Sequence, residues 1–303
     1  SSNLAGTSKT KRPAKAGRFI LAVNILEIKG SVIMRKQVES LVYDAGKLVR
    51  SGYASVETKD SVSNMVTDSD KAVQDFLMAG LKRLLLDIDF ICEEDTAASD
   101  SEQYEYTAVI DPIDGTSNFV RGMNLSAVSV AVLHYGKPYL GVVYLPYTDE
   151  LFSAEAGCGA TVNGKPIHVS ARSLKESCFA TAWSLYDKTL APPCFEICQG
   201  VYPDIDDFRR MGAAALELAY LAAGRCELYF EIRLYPWDFA AASLIIEEAG
   251  GYWAQIGTAN GDYSRPCSFL AANSLSSFEY MMSQVKRHLP EGLYERDAFS
   301  SLH

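Results

Sequence analysis

Asp111-Pro112-Ile113-Asp114-Gly115-Thr116-Ser117-Asn118-Phe119 is the stretch on which the reading of this 303-residue chain turns. It follows a β-type run, Tyr106 to Ile110, and sets two carboxylates three residues apart ahead of a Gly-Thr turn. Pro112 has a fixed φ and no N–H, so it is expected to end the strand ladder and leave Asp111 and Asp114 at the strand end. An isolated Asp-x-x-Asp is usually turn chemistry, with side chains capping nearby backbone. Here a strand delivers the acids, and backbone amides open toward a short helix behind them. Carboxylate oxygens suit hard divalent cations, and Mg²⁺ is commonly held by one or two carboxylates with substrate phosphate and water. Amides at a turn or helix start supply the complementary anion site.

Working outward, Lys36 to Arg50 carries Val38, Leu41, Val42, Ala45, Leu48 and Val49 at helical spacing, with Gly52 as a stop. A second helix is expected from Thr67 or Asp68, with Val73, Phe76, Leu77, Leu81 and Leu84 on one face. A short strand, Phe90 to Cys92, runs into Glu93-Glu94-Asp95, and a polar loop (96–105) leads to the strand before Asp111. Ala127 to Tyr135, Tyr139 to Tyr144 and Leu151 to Ala154 read as consecutive strands, and Asn163-Gly164 is a strong hairpin signal. Beyond Cys178 to Trp183 the predicted order is helix Ala213 to Ala223, strand Glu227 to Glu231, and a Pro236-Trp237-Asp238 corner. A helix to Glu248, strands Tyr252 to Ile256 and Ser268 to Ala272, and a helix Leu275 to His288 complete it. Alternating elements without an internal repeat predict a layered α/β (α+β) sandwich with two interlocked sheet regions.

Composition narrows the function. Hydrophobic residues are 48% and charged residues 22% of the chain, as in an ordinary globular protein with ample core. No apolar run reaches the ~20 residues that span a bilayer, so no membrane role is expected. Seven scattered cysteines form no CxxC pair, which points away from a zinc site or disulfide framework and toward a reducing, cytoplasmic setting. Net charge is −10 although residues 1–33 are basic (Lys9, Lys11, Arg12, Lys15, Arg18 and Lys29 against Glu27), so the remainder is more acidic still. That disfavours a nucleic-acid or anionic-membrane surface. It also opposes an anionic substrate unless metal ions in the site offset the charge.

Further acids stand at element ends. The Glu93-Glu94 pair closes a strand, where a solvated acidic loop is the ordinary reading. Asp238 stands at a helix start and would serve as an N-cap. Asp70, in Val66-Thr67-Asp68-Ser69-Asp70, would be a first-turn acid favoured by the helix dipole.

The central stretch resembles the Asp-Pro-Ile-Asp-Gly-Thr-x-Asn-Phe motif of the inositol monophosphatase family, Mg²⁺-dependent and lithium-sensitive phosphatases. Glu93-Glu94, Trp237-Asp238-Phe239-Ala240 and Val66-Thr67-x-x-Asp70 match three more motifs of that family in the right order, so the resemblance spans residues 36 to 287. It implies a fructose bisphosphatase/inositol monophosphatase-like fold over residues 34–290. Residues 1–33 are then expected to be an extension upstream of a natural start at Met34, disordered or foreign to the protein, and residues 291–303 a tail.

The resemblance implies two or three Mg²⁺ ions. Glu93, Asp111 and the Ile113 carbonyl would bind the first, and Asp111, Asp114 and Asp238 the second. Asp70 and Thr116 would deprotonate the attacking water, with Glu93 also counted as catalytic, and the Gly115 and Thr116 amides would hold the phosphate. Attack would be in line, without a covalent phospho-enzyme. Lys59 matches a basic residue near the family site.

Substrate contacts are implied at Asp114, Asp238, Gly212-Ala213-Ala214 and Glu231. Ala213 lacks the hydroxyl often found in the family, and Ile232-Arg233-Leu234-Tyr235 also departs from its pattern. Arg233 is therefore either a reader of a second anionic group or half of a surface ion pair. The expected activity is hydrolysis of a small sugar or polyol phosphate, first of all myo-inositol monophosphate. Fructose 1,6-bisphosphate, histidinol phosphate and phosphoadenosine phosphate are the same-fold alternatives. A homodimer without nucleic-acid partners is expected, and some family members are thought to serve protein or RNA machinery independently of catalysis.

Overall fold

The computed structural model describes residues 34–52, 55–58, 65–95, 104–184 and 187–289. Lys59, the 1–33 extension, the 291–303 tail and most of the polar loop at 96–105 lie outside the described residues.

Helix α1 (34–50) and helix α2 (Asp68–Leu84) form one outer layer. Val38, Val42, Ala45 and Val49 make the buried stripe of α1, and Val73, Leu77 and Leu81 that of α2. α2 starts at Asp68 because Thr67 caps it. The Asp70 N–H donates to the Thr67 hydroxyl (3.3 Å), and the Asp70 carboxylate accepts the Thr67 N–H (2.7 Å).

Both helices lie on a seven-stranded sheet. In spatial and chain order it holds β3 (Ile88–Cys92), β4 (Tyr106–Asp114), β5 (Ala127–His134), β6 (Lys137–Leu145), β7 (Glu150–Glu155), β8 (Ala160–Val162) and β9 (Lys165–Pro166). Only the β3–β4 pair is parallel. Tyr135-Gly136 and Asn163-Gly164 both turn with positive φ, the backbone that matches strand twist in two-residue hairpins. Alternation then divides the core. Ala108, Ile110, Val128, Val130, Val142 and Tyr144 face α1 and α2, whereas Val109, Ala131, Leu133, Val143 and Leu145 face the opposite layer.

That middle layer is α5 (Ala214–Ala222) and α6 (Pro236–Glu248). Below it lies a five-stranded sheet in the order β11 (Asp207–Arg209), β10 (Cys178–Ala182), β12 (Leu228–Leu234), β14 (Cys267–Ala272), β13 (Tyr252–Ile256). Helices α4 (Ala191–Val201) and α7 (Leu275–His288) cover its far face through Ile197, Val201, Met281 and Val285. The α/β/α/β/α stack is the expected layered sandwich. Gly141 fixes the seating of α6 on β6, because a Cβ there would lie 2.4 Å from the Ala241 carbonyl oxygen.

Several elements differ from the sequence reading. Pro112 does not end its strand. β4 continues to Asp114 through a one-residue bulge, Asp111 pairing with Ser129 and Asp114 with Ala127. The bulge leaves its extra residue outside the ladder, so the N–H that proline lacks is not missed. β12 likewise runs past Glu231 through a bulge before Leu234. The Pro236 corner is the first turn of α6, proline being well suited to the first helical position. Helix α4 was hidden by Pro192-Pro193 in its first turn. The pair β1 (Val56–Thr58) and β2 (Met65–Thr67), and β11, are too short to show a period.

Candidate active site

A pocket of roughly 800 Å³, counting its open mouth, lies where β3 and β4 end and α5, α6 and β12 begin or turn. Glu93, Asp111, Ile113, Asp114, Gly115, Thr116, Gly212, Ala213, Ala214, Glu231, Arg233 and Asp238 all line it. The structure thus gathers nearly every site residue singled out from the sequence.

The carboxylates of Asp111, Asp114 and Asp238 converge, each offering an oxygen within 4.8 Å of the others. Asp111 is 2% exposed, and its Oδ1 is buried without a hydrogen-bond partner. Burial, then the negative charges of Glu93, Asp114, Asp238 and Asp70, push its pKa well above the ordinary carboxylate value. An orphaned oxygen among buried acids is an unstable arrangement for the bare protein and a fitting one for a hard cation.

Asp114 is anchored differently. It accepts the amides of Ala214 (3.0 Å), Ala215 (2.8 Å) and Leu216 (3.3 Å) at the start of α5. Ala213, at the N-cap, has no side-chain acceptor to offer, so Asp114 caps α5 from a different layer. Burial raises its pKa to about 6, opposed by those three amides. The Ala214 amide, implied as a substrate contact, is committed to Asp114. Asp238 is not an N-cap as expected. It is the third residue of α6 because Pro236 starts the helix, and its carboxylate accepts the Tyr235 N–H (2.7 Å). Burial and the charge of Asp114 raise its pKa well above the usual range.

Asp70 is 0% exposed and receives the Thr116 hydroxyl at 3.3 Å; the same hydroxyl lies 3.1 Å from the Ile113 carbonyl. Burial raises the Asp70 pKa against the hydrogen bonds from Thr67 and Thr116. Gly115 links β4 to the short helix α3 (Thr116–Val120) at φ +82°, where a Cβ would meet Ala213 and the Leu125 carbonyl at 2.9 Å. Glu93 lines the pocket from the end of β3, whereas Glu94 turns its amide to Gln74 and does not line it.

Sequence reasoning missed Ala182, Ser184, Arg210, Glu217 and Leu234 in the pocket wall. Glu217 accepts the amides of Met211 and Gly212 on one oxygen, leaves the other buried without a partner, and burial raises its pKa to about 8. Its signal was available, as the one acid on the otherwise apolar helix 214–222. Arg210 lies 5.3 Å over the Trp183 ring, and only its nearness to Gly212 in sequence could have marked it.

This stack, with acids gathered at the ends of its strands, is the architecture of a group of phosphatases. The chain belongs to the inositol monophosphatase family, whose model matches residues 33–289. Nus factor SuhB of Escherichia coli K12 is 38% identical over 254 residues, 82% of this chain and 94% of that protein. Inositol monophosphatase 3 of Solanum lycopersicum is 39% identical over 216 residues, 69% of this chain and 80% of that one. Among solved structures, the Thermotoga maritima inositol monophosphatase superposes with a TM-score of 0.73 at 29% identity, covering 83% of this chain and 96% of its own. The suhB protein of Bartonella henselae gives 0.75 at 30% identity, covering 86% and 99%. Among the described residues no helix is long and apolar enough to cross a membrane, and all seven cysteines are free thiols.

Proposed function

We propose that this chain is a Mg²⁺-dependent phosphomonoesterase for a small polyol phosphate, with myo-inositol monophosphate the first substrate to test. The observation that carries the reading is the buried, unpartnered Asp111 oxygen inside a three-carboxylate group. Asp111, Asp114 and Asp238, with Glu93 and the Ile113 carbonyl, would hold two or three Mg²⁺ ions. Bound Mg²⁺ supplies the positive charge that an acidic pocket needs to accept phosphate, and it lowers the pKa of nearby water.

The protein's own groups do the rest. The Thr116 hydroxyl donates to Asp70 or Ile113, which leaves its lone pairs free to accept a proton from water. Asp70, with its raised pKa, is a stronger base than an ordinary aspartate and takes that proton onward. Gly115 and Thr116, turned by the positive φ of Gly115, present their amides to the phosphoryl oxygens. The ester P–O bond breaks, the water oxygen stays with phosphate, and the alcohol leaves with a proton from solvent. Glu231, whose pKa burial raises to about 7, accepts hydrogen bonds from the polyol hydroxyls. The enzyme is expected to be a cytoplasmic homodimer inhibited by millimolar Li⁺ at saturating Mg²⁺.

The test is Mg²⁺-dependent phosphate release from myo-inositol 1-phosphate, histidinol phosphate, phosphoadenosine phosphate and fructose 1,6-bisphosphate, with Asp111→Asn alongside. Turnover lost in the variant supports the reading. No release from any of them, by protein that binds Mg²⁺, refutes it. A second reading rests on the relatives named Nus factor SuhB: a role with transcription machinery separate from catalysis. Retention of that cellular role by Asp111→Asn protein would favour it.

A further inference from the structure

The pocket carries a feature that monophosphate hydrolysis does not use. Two arginines also line it, and the charge of Arg210 acts on Glu231. Arg233 is 6% exposed, and its Nε is buried without a hydrogen-bond partner. Its Nη2 reaches only the Tyr235 hydroxyl, at 3.3 Å, and the guanidinium lies 5.6 Å over the Tyr235 ring. Among the described residues no carboxylate comes within ion-pair distance of it. The surface ion pair that was one reading of this residue is therefore absent. A buried cation without a counter-charge is costly, because its desolvation is not repaid by a partner. Ordinary alternation along β12 sets Arg233 on the same face as Glu231, and the bulge before Leu234 turns that residue to the same pocket as well. The Tyr235 ring is itself stacked on Trp237 at 4.9 Å and 5°, so Arg233 rests on a fixed support. Arg210 lines the same wall, held over Trp183.

We propose that the pocket selects a phosphomonoester whose alcohol part carries a second oxyanion, seated on Arg233 with Arg210 at its rim. This rests on the phosphatase reading and deepens it. The reacting phosphate goes to the Asp111, Asp114 and Asp238 end, where a metal offsets the charge. The second group, a phosphate or a carboxylate, goes to the planar donor fork of Arg233, which suits either oxyanion. After hydrolysis the second oxyanion leaves with the alcohol.

The experiment compares kcat/KM within matched pairs in Mg²⁺. Fructose 1,6-bisphosphate is set against fructose 1-phosphate and fructose 6-phosphate, and 2-phosphoglycerate against glycerol 2-phosphate. Wild-type protein is expected to favour the doubly anionic member of at least one pair by about tenfold or more, the size of a charge-assisted contact. The pair that shows the preference says whether the second group is phosphate or carboxylate. In Arg233→Gln that ratio should collapse toward one, in Arg233→Lys it should recover in part, and in Arg210→Gln it should fall less. Melting temperatures of the variants confirm that they fold. Turnover without preference in either pair, or an Arg233→Gln loss equal for both members, overturns the inference and leaves the phosphatase reading standing. No turnover of any of the five compounds overturns the inference, and the phosphatase reading falls with it only when myo-inositol 1-phosphate, histidinol phosphate and phosphoadenosine phosphate also fail.

Discussion

Replacing Asp111 by Asn should make the metal-free protein more stable and remove its response to Mg²⁺. Three carboxylates share a space in which their oxygens are within 4.8 Å of one another. Two unit charges at that separation repel by roughly 3 kcal/mol at an effective dielectric constant of about 20. The folded protein escapes part of this by retaining a proton on the cluster, which the raised pKa of Asp111 expresses. Above about pH 4, where an unfolded aspartate is ionised, the folded state therefore binds more protons than the unfolded chain, and stability falls as pH rises. Asparagine keeps the shape and removes that burden, for an expected gain of about 2–4 kcal/mol near pH 8 and less toward pH 5. For a chain of this size that is a rise in melting temperature of roughly 3–6 °C. Mg²⁺ at a hundred times its dissociation constant would stabilise wild-type protein by about 2.7 kcal/mol, and should do little for the variant. The assay is thermal melting from pH 5 to 8.5 in EDTA and in Mg²⁺. An Asp111→Asn protein that melts below wild type throughout in EDTA, or keeps the full Mg²⁺ shift, would refute the reasoning.

Two other substitutions separate chemistry from architecture. Thr116→Val removes the hydroxyl that Asp70 and Ile113 share, and should lower kcat by about 10²-fold or more, the usual contribution of a positioned proton acceptor, while leaving the Mg²⁺-induced rise in melting temperature. Thr116→Ser should restore most of the rate; a variant as fast as wild type would exclude this role. Gly141→Ala, outside the pocket lining, drives a methyl into the Ala241 carbonyl and should cost about 1–3 kcal/mol by urea denaturation, an unchanged midpoint being the contrary result.

The legible and illegible parts of this chain differ in a physical way. The start of helix α2 was readable to within a residue because its cap and its stripe are local: Thr67 and Asp70 bond to each other, and Val73, Leu77 and Leu81 repeat at helical spacing. The acids were readable because Asp111, Asp114, Glu93 and Asp238 each read from sequence as standing at an element end, and a resemblance joined them across 145 residues of chain. The role of Asp114 as the cap of α5 was not, since its amide partners lie about a hundred residues away. Glu217 and Arg210 were missed for the same reason: a lone acid on a helix and an arginine in a loop acquire meaning only from what the layers bring opposite them. Arg233 was noticed for departing from the family's pattern, but its lack of an ion-pair partner is a fact of packing.

The motif's spacing also acquires a cause in the structure. On a regular strand, residues three apart point to opposite faces, so Asp111 and Asp114 would be separated by the sheet. The bulge in β4 reverses this. Asp111 and Asp114 face the middle layer together, while Ile110 and Ile113, also three apart, both pack under α1 and α2. One extra residue thus sorts two acids to the site and two isoleucines to the core, and Pro112 suits the interval because the ladder is already interrupted there. The β12 bulge repeats the device, placing Glu231 and Leu234 on the pocket side while Phe230 and Ile232 remain under α4 and α7. The two walls of the pocket are made by the same deviation in two different sheets. Across the middle layer they are joined by Asp114, which holds the start of α5 by its amides, while Asp238 closes the first turn of α6 on the Tyr235 amide. One of the acids that would grip a metal, Asp114, is therefore also a joint between layers, and loading the site should tighten the stack that forms it.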